Sequence, residues 1–494
     1  MNAKFILLTA ALLAGNAAGS LCCEAFSAEP EQARGSKSMQ SKSLKSPRAK
    51  DTLSPKLKPG LIPVTRNYTL PNGLRVVLSE NHHSPTIAWV TIYDVGSRDE
   101  IIGETGLAHL FEHMMFEGSG NVKKGDYSHL IGGNGGKDNA STHDDFTNYW
   151  SILPSNCFEL GLWLESDRMK SLNITSANLE NQIQTVKEEK RKKIDNKPYG
   201  PSSIEMDALL FDKFANNHDS WGLFSDLDAI TVKQAQKFFD GYYSPSNAVL
   251  VISGDINPEK TKLLIDKYFA GIPAHSKPPA PDDVEPEPKF LKYRKLEDKY
   301  AKVDAVRVGF KTPSRQDDDY YALGILNEIL DCGNSGRLYQ VLVKDKEAVL
   351  RFSTGLQSSR NTGVFKAFFL CKTGHSPAQV QELFFQELEK LKTTPVTTNE
   401  LQKAKNQIKR GYFGSNIHFS LQTNLGRAQN LAEQALFFND AQGLDKELAR
   451  YDKVTSDDIM RVANKYLRKE RSLILEILPQ EKNGLAIEGS NESK

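Results

Sequence analysis

The sequence predicts a duplicated α/β unit in two halves, and three observations carry that expectation. Leu-Asp-Ala-Ile-Thr at 227–231 recurs as Tyr-Asp-Lys-Val-Thr at 451–455; eleven residues after each Thr stands a Tyr, Tyr242 and Tyr466. The apolar runs Ala248–Ser253 and Ser472–Ile477 then align without a gap, as one strand occurring twice. Between the copies, 272–290 is rich in Pro and acidic residues, a linker composition. The boundaries follow: signal 1–28, leader 29–62, first domain 63–271, linker 272–290, second domain 291–480, tail 481–494.

Composition bounds the function. A length of 494 residues suits two to four domains, and 39% hydrophobic with 25% charged residues is an ordinary globular balance. A net charge of +1 gives no global basis for binding nucleic acid. Met1–Ala28 reads as a secretory signal, with Lys4, a short apolar run over Phe5–Ala14 and small residues after it, cleaved after Gly19 or after Ala28. The run is too short to span a bilayer, so no transmembrane segment is expected after its removal. Ser/Lys-rich 29–62 has too little apolar surface to offset its ordering entropy and reads as a disordered leader. Cys157, Cys332 and Cys371 are too scattered for a metal-binding spacing or a disulfide framework.

Along the first half, Asn72-Gly73 marks a tight turn into the strand that follows, and Ile87–Val95 is a second strand. Thr105–Gly118 is a helix; Asp126–Ile131 is a short one ahead of Gly132–Gly136. Asp138–Trp150, polar and β-prone, reads as one strand with an accessible edge, an element to which an extended peptide can add. Helices follow over 156–170, from a cap at Thr175 or Ser176, and from Thr231.

The chemistry gathers in His109-Leu-Phe-Glu-His113. At about 3.6 residues per turn the two imidazoles lie roughly 40° apart on one helix face, with Glu112 beside them. Catalytic zinc needs this arrangement: neutral imidazole ligands, a position for water, and a carboxylate to take that water's proton. In the helix opened by Thr175 or Ser176, Leu179, Ile183 and Val186 form a buried stripe. Counted at about 100° per residue, Glu188 falls opposite that stripe and Glu189 on its flank, facing inward. A buried carboxylate needs a cation or donors, met here by a metal on the two histidines or by an ion pair such as one to Arg168. Matching Gly333 to Gly118 places Gly324, Asn327 and Glu328 where His109, Glu112 and His113 stand, so the second copy lacks the metal set.

These stretches, LPNGLRVVLSENHHSP (70–85), VGSRDE (95–100), GLAHLFEHMMFEGS (106–119), GGNGGKDNASTHDDFTNYW (132–150), WLESDRM (163–169), KEEKRKKIDNKPYG (187–200) and YYSPSNAVLVISGD (242–255), closely resemble the inverted-zincin peptidases of the pitrilysin and insulin-degrading enzyme group. They resemble in particular the small bacterial members related to the mitochondrial processing peptidase β subunit, and the resemblance covers roughly 63–480. It implies an α+β fold of two homologous α/β domains, each a mostly antiparallel sheet with helices packed on it, together half of a clamshell chamber. It implies a zinc endopeptidase acting on peptides or unfolded polypeptides, with His109, His113 and Glu189 holding one Zn²⁺ per chain and Glu112 as general base. Asn139 and Ala140 then belong to the strand that pairs with substrate. Many relatives carry a second acid seven residues before the ligand Glu, where this chain has Gln182. A dimer is expected, with itself or with a metal-less sister subunit, in the periplasm. The rival reading is a catalytically silent structural or peptide-binding subunit. A closed, purely structural metal site would need a fourth ligand, for which His143 is the nearest candidate in sequence.

Overall fold

The computed structural model describes residues 60–414 and 420–480. The expected signal and tail, and all of the leader before Gly60, lie outside these residues.

Two mixed sheets organise the described residues. The first holds β1 (Arg66–Thr69), β2 (Arg75–Glu80), β3 (Thr86–Tyr93), β4 (Lys137–Thr142), β5 (Thr147–Pro154) and β6 (Ala248–Gly254), in the order β1-β2-β6-β3-β5-β4. The second holds β7 (Lys292–Asp298), β8 (Ala305–Thr312), β9 (Val349–Ser358), β10 (Gly363–Cys371) and β11 (Leu473–Pro479), in the order β7-β11-β8-β10-β9. Each sheet has one parallel pair, β2 with β6 and β7 with β11, and the rest are antiparallel. Without β1, the first order is the second one repeated. The helices ahead of β6 and β11 match as well: Val232–Tyr242 and Ser456–Tyr466 are both opened by a Thr, Thr231 or Thr455, whose hydroxyl accepts an N–H from the third helical residue.

The β1–β2 turn requires Gly73: its φ is 88°, and a Cβ there would lie 2.9 Å from the Ser246 Cα. One expectation is corrected. Asp138–Trp150 is not one strand but the hairpin β4–β5, because the His143-Asp144-Asp145-Phe146 stretch turns on a His143 N–H to Phe146 carbonyl bond of 2.8 Å. The edge position stands, for β4 ends the sheet.

On one face of the first sheet, Val76, Trp89, Leu250 and Ile252 pack beneath a helical layer. That layer includes α1 (Leu107–Met114), α3 (Phe158–Lys170) and α4 (Ser176–Lys190), with α2 (Asp126–Gly133) beside them. The opposite face, Val77, Val90, Val249 and Val251, is covered by Leu425, Ala428, Leu431 and Ala432 of the helix Asn424–Phe438, which comes from the second half. The loan is returned by α5 (Pro201–Leu210), whose Met206 and Leu210, one helical turn apart, cover Ala305, Leu473, Leu475 and Ile477 of the second sheet. Each half therefore completes its core with a helix of the other.

Candidate metal centre

Helix α1 starts without help from its own cap residue, for Gly106 has no side chain and sits at φ 87°. Glu100 does that work from a distance: its Oε2 accepts the Gly106 N–H and its Oε1 the Ala108 N–H, both at 2.9 Å. Burial pushes the Glu100 carboxyl up, while His218 and these backbone donors oppose the rise. His218 Nε2 lies 3.2 Å from Glu100 and 2.7 Å from the Ser97 carbonyl, and Nδ1 lies 2.6 Å from the Phe214 carbonyl. Burial alone would lower the His218 pKa, but Glu100 and the two carbonyls outweigh it and the net direction is up. Leu107, Leu110, Phe111 and Met114 are buried beneath the helix, and the Tyr149 hydroxyl donates to the Phe111 carbonyl at 3.1 Å.

The helix presents His109, buried, and His113, half-buried, with ring centroids 5.0 Å apart and planes at 85°. Trp221 meets the His109 ring edge to face at 4.8 Å. Burial, then His109, lowers the His113 pKa against opposition from Glu112, Glu189 and a hydrogen bond with Gln182. That direction keeps the imidazole in the neutral form a metal requires. Gln182 thus stands beside the cluster as a hydrogen-bonding group.

The third member comes from α4, where the Thr175 hydroxyl accepts the Asn178 N–H and the apolar stripe is buried. Glu188 faces solvent beside Arg191 and Lys192; Glu189 turns inward, its side chain 22% exposed. Its Oε2 lies 3.2 Å from His113 Nε2 and 3.5 Å from His109 Nε2. The Glu189 pKa falls to about 2, chiefly through His109, with Lys193 adding to the effect and burial opposing it. Lys193 reaches the other oxygen from a π-helical turn, Arg191–Asp195, that continues α4, and its ammonium lies 5.4 Å from the centre of the Trp221 ring. Arg168, the other candidate partner of Glu189, is paired instead with Glu165 at 2.5 Å.

The residues fit a zinc ion. Metal–ligand bonds of about 2.0–2.1 Å in a tetrahedron put neighbouring donor atoms roughly 3.3 Å apart, and the two His–Glu distances bracket that value. Glu189 Oε2 is buried yet has no hydrogen-bond partner, the condition of a group awaiting a cation. Among the described residues, no fourth His, Cys, Asp or Glu joins these three. His143 instead stacks on Phe146 and lies 3.0 Å from the Ser141 hydroxyl. Glu112 stays out of the triad and takes a 2.6 Å hydrogen bond from the Thr142 hydroxyl of β4. Asn139 is exposed on β4, and Ala140 is buried on the side facing α1. In the second half, Gly324, Asn327 and Glu328 lie on the helix Asp318–Leu330, where a hydroxyl again reaches over, Thr354 donating to Asn327 at 2.8 Å.

Glu100, Thr142 and Trp221 act on the site through contacts that no local pattern reveals, whereas Lys193 stands four residues after Glu189, the ordinary spacing of a helical ion pair. Glu100, Thr142 and Lys193 fall within the stretches VGSRDE, GGNGGKDNASTHDDFTNYW and KEEKRKKIDNKPYG, which assign them no task, and Trp221 falls in none of them.

Residues 75–223 match the family model described as Insulinase (Peptidase family M16), and residues 229–408 match the one described as Peptidase M16 inactive domain. The chain is 30% identical over 426 residues to a Helicobacter pylori protein named zinc protease PqqE, covering 85% of this chain and 94% of that one. A crystal structure of a protease from Helicobacter pylori superposes with a TM-score of 0.79 at 28% identity, over 84% of this chain and 99% of that chain. The periplasmic protease PqqL from Escherichia coli shares the fold at a TM-score of 0.67 and 15% identity, over 84% of this chain and 47% of its own. With an HxxEH helix, a facing glutamate and these matches across both halves, the chain belongs to peptidase family M16, the insulinase family.

Proposed function

We propose that the protein is a zinc-dependent endopeptidase of peptides or unfolded polypeptides. The observation that carries this reading is the Glu189 carboxylate facing two imidazoles of another helix at donor spacings suited to zinc. His109, His113 and Glu189 hold the ion, one per chain. Bound there, zinc supplies an acidified water and polarises the scissile carbonyl. Glu112, outside the ligand set and on the same helix, takes the proton of the attacking water and passes it to the leaving amine. Asn139 and Ala140 lie on the strand whose free edge pairs with the substrate backbone, holding the scissile bond beside α1.

The domain limits proposed from sequence, 63–271 and 291–480, give one catalytic and one metal-less domain. The chain then forms one wall of a chamber and dimerises with itself or with a metal-less sister. The E. coli PqqL chain, of which the match covers only 47%, supports that arrangement by being long enough for two such walls. That protein is periplasmic by its description, and the secretory signal proposed for Met1–Ala28 supports the same compartment for this one. Among the described residues no helix is long and apolar enough to cross a membrane. The rival, a silent peptide-binding subunit, draws on the inactive-domain match, which runs from 229 to 408, from the end of the first half through most of the half without the metal set.

The test is Glu112→Gln, followed by metal analysis and cleavage of a quenched peptide. Zinc content should stay at one per chain while turnover falls by about 10²–10⁴, the worth of a general base. A fully active Glu112→Gln protein, or a wild type without zinc, refutes the proposal.

A further inference from the structure

The strand proposed to receive substrate also touches the proposed base. Alternation along β4 puts Thr142 on the same side as Ala140, toward α1. Its hydroxyl donates to Glu112 Oε2 at 2.6 Å, the one side-chain hydrogen bond found on Glu112 among the described residues. The bond holds one carboxylate oxygen and leaves Oε1 without a side-chain hydrogen bond among the described residues.

Building on the peptidase reading, we propose that Thr142 is a positioning residue that aims the Glu112 carboxylate and ties its orientation to occupancy of the β4 edge. The link is short. Thr142 is the last residue of β4 and pairs with Thr147 of β5, so its Cα is anchored on one side and open on the other. An extended peptide adding to the open side restrains β4 from both sides, and with it the hydroxyl. The carboxylate is a rotor about its last torsion, broad and poorly defined without a partner, and the hydroxyl selects one setting. The second half supplies a control: Thr354 of the edge strand β9 donates to Asn327, the counterpart of Glu112, where no metal set exists.

The experiment compares Thr142→Val, Thr142→Ser and Thr354→Val with wild type by zinc content and steady-state cleavage of a quenched peptide. Thr142→Val should keep one zinc per chain and lose about ten-fold in kcat, the worth of one hydrogen bond, with KM within about two-fold. Thr142→Ser should restore most of kcat, since it returns the hydroxyl and not the methyl. Thr354→Val should leave kcat unchanged. Wild-type kcat in Thr142→Val, no rescue by Ser, loss of zinc, or an equal loss in Thr354→Val each overturns the positioning role. A wild type that binds zinc and cleaves nothing overturns the peptidase reading itself and this role with it, a result distinct from the others.

Discussion

The cap on α1 is the feature whose removal should reach both stability and metal. Replacing Glu100 by Ala takes away the acceptor of two N–H groups, each a charge-assisted bond worth about 1.5–3 kcal/mol. It also withdraws a negative charge from a helix N-terminus, about 0.3–2 kcal/mol, and strands His218 among buried groups without its counter-charge. These effects overlap, and the whole is better judged as the breaking of a buried pair, about 3–5 kcal/mol. Glu100→Gln keeps the shape and one acceptor oxygen, so about half that loss is expected. Because His109 directly follows Ala108, the freed first turn of α1 should also weaken zinc binding by about 10–100-fold, as loss of an outer partner does elsewhere. Urea unfolding of the apo-protein, followed by circular dichroism, reads the first effect, and competition with a chelating dye reads the second. An apo Glu100→Ala protein within about 1 kcal/mol of wild type, with undiminished zinc affinity, would refute the reasoning.

Other substitutions test separate links. Glu189→Ala should abolish stoichiometric zinc, and with it the stabilisation by zinc, about 2.7 kcal/mol at a hundred-fold excess over Kd; metal analysis and a zinc-dependent melting shift check both. Gly161→Ala should destabilise by about 1–3 kcal/mol or more, because a Cβ there would fall 2.3 Å from the ring of buried Trp89; the urea midpoint reads it. Burial, opposed by Arg98, raises Asp145 to about 6. Its unfolded carboxyl titrates near 3.9, so between about pH 4 and 6 the folded state holds a proton the unfolded state has lost, and stability falls as pH rises through that window. The stability difference between wild type and Asp145→Asn should therefore shift against wild type by up to about 3 kcal/mol from pH 4 to 7; a flat difference counts against the assignment.

What could be read from sequence were features with a local period. The α1 pentad, the stripe on α4 and the buried run of β6 declare themselves within a few residues, and helical phase alone separated Glu189 from Glu188. The duplication was legible because Thr231 and Thr455 cap equivalent helices. The β4–β5 hairpin was missed because its turn is made of His, Asp and Phe rather than Gly, and is fixed by distant backbone: Ser97 and Arg98 donate to the carbonyls of His143 and Asp144. Trp221 lies 4.8 Å from His109 across a long sequence interval, whereas Lys193 stands four residues after Glu189, a spacing that helical periodicity alone brings together. An amphipathic stripe also does not say which sheet it will cover, so the exchange of α5 for the helix Asn424–Phe438 was not legible.

That exchange bears on why one copy carries the metal set and the other carries none. The second half did not merely lose its ligands; their places are filled or emptied. A Cβ at Gly324, the counterpart of His109, would already lie 3.1 Å from the ring of Tyr451, which is buried and meets Tyr321 edge-on at 4.9 Å. An imidazole there needs the tyrosine displaced. Matching the helix caps Thr175 and Thr397 sets Gly411, with no side chain and nothing near its Cβ direction, against Glu189. A working site in this half thus needs four new side chains and a repacked core. What the half does contribute is the helix whose Leu425, Ala428, Leu431 and Ala432 seal Val77, Val90, Val249 and Val251. Cut away, those valines would face water at about 1.5–3 kcal/mol each, so the stability of the half with the HxxEH helix depends on the half without it.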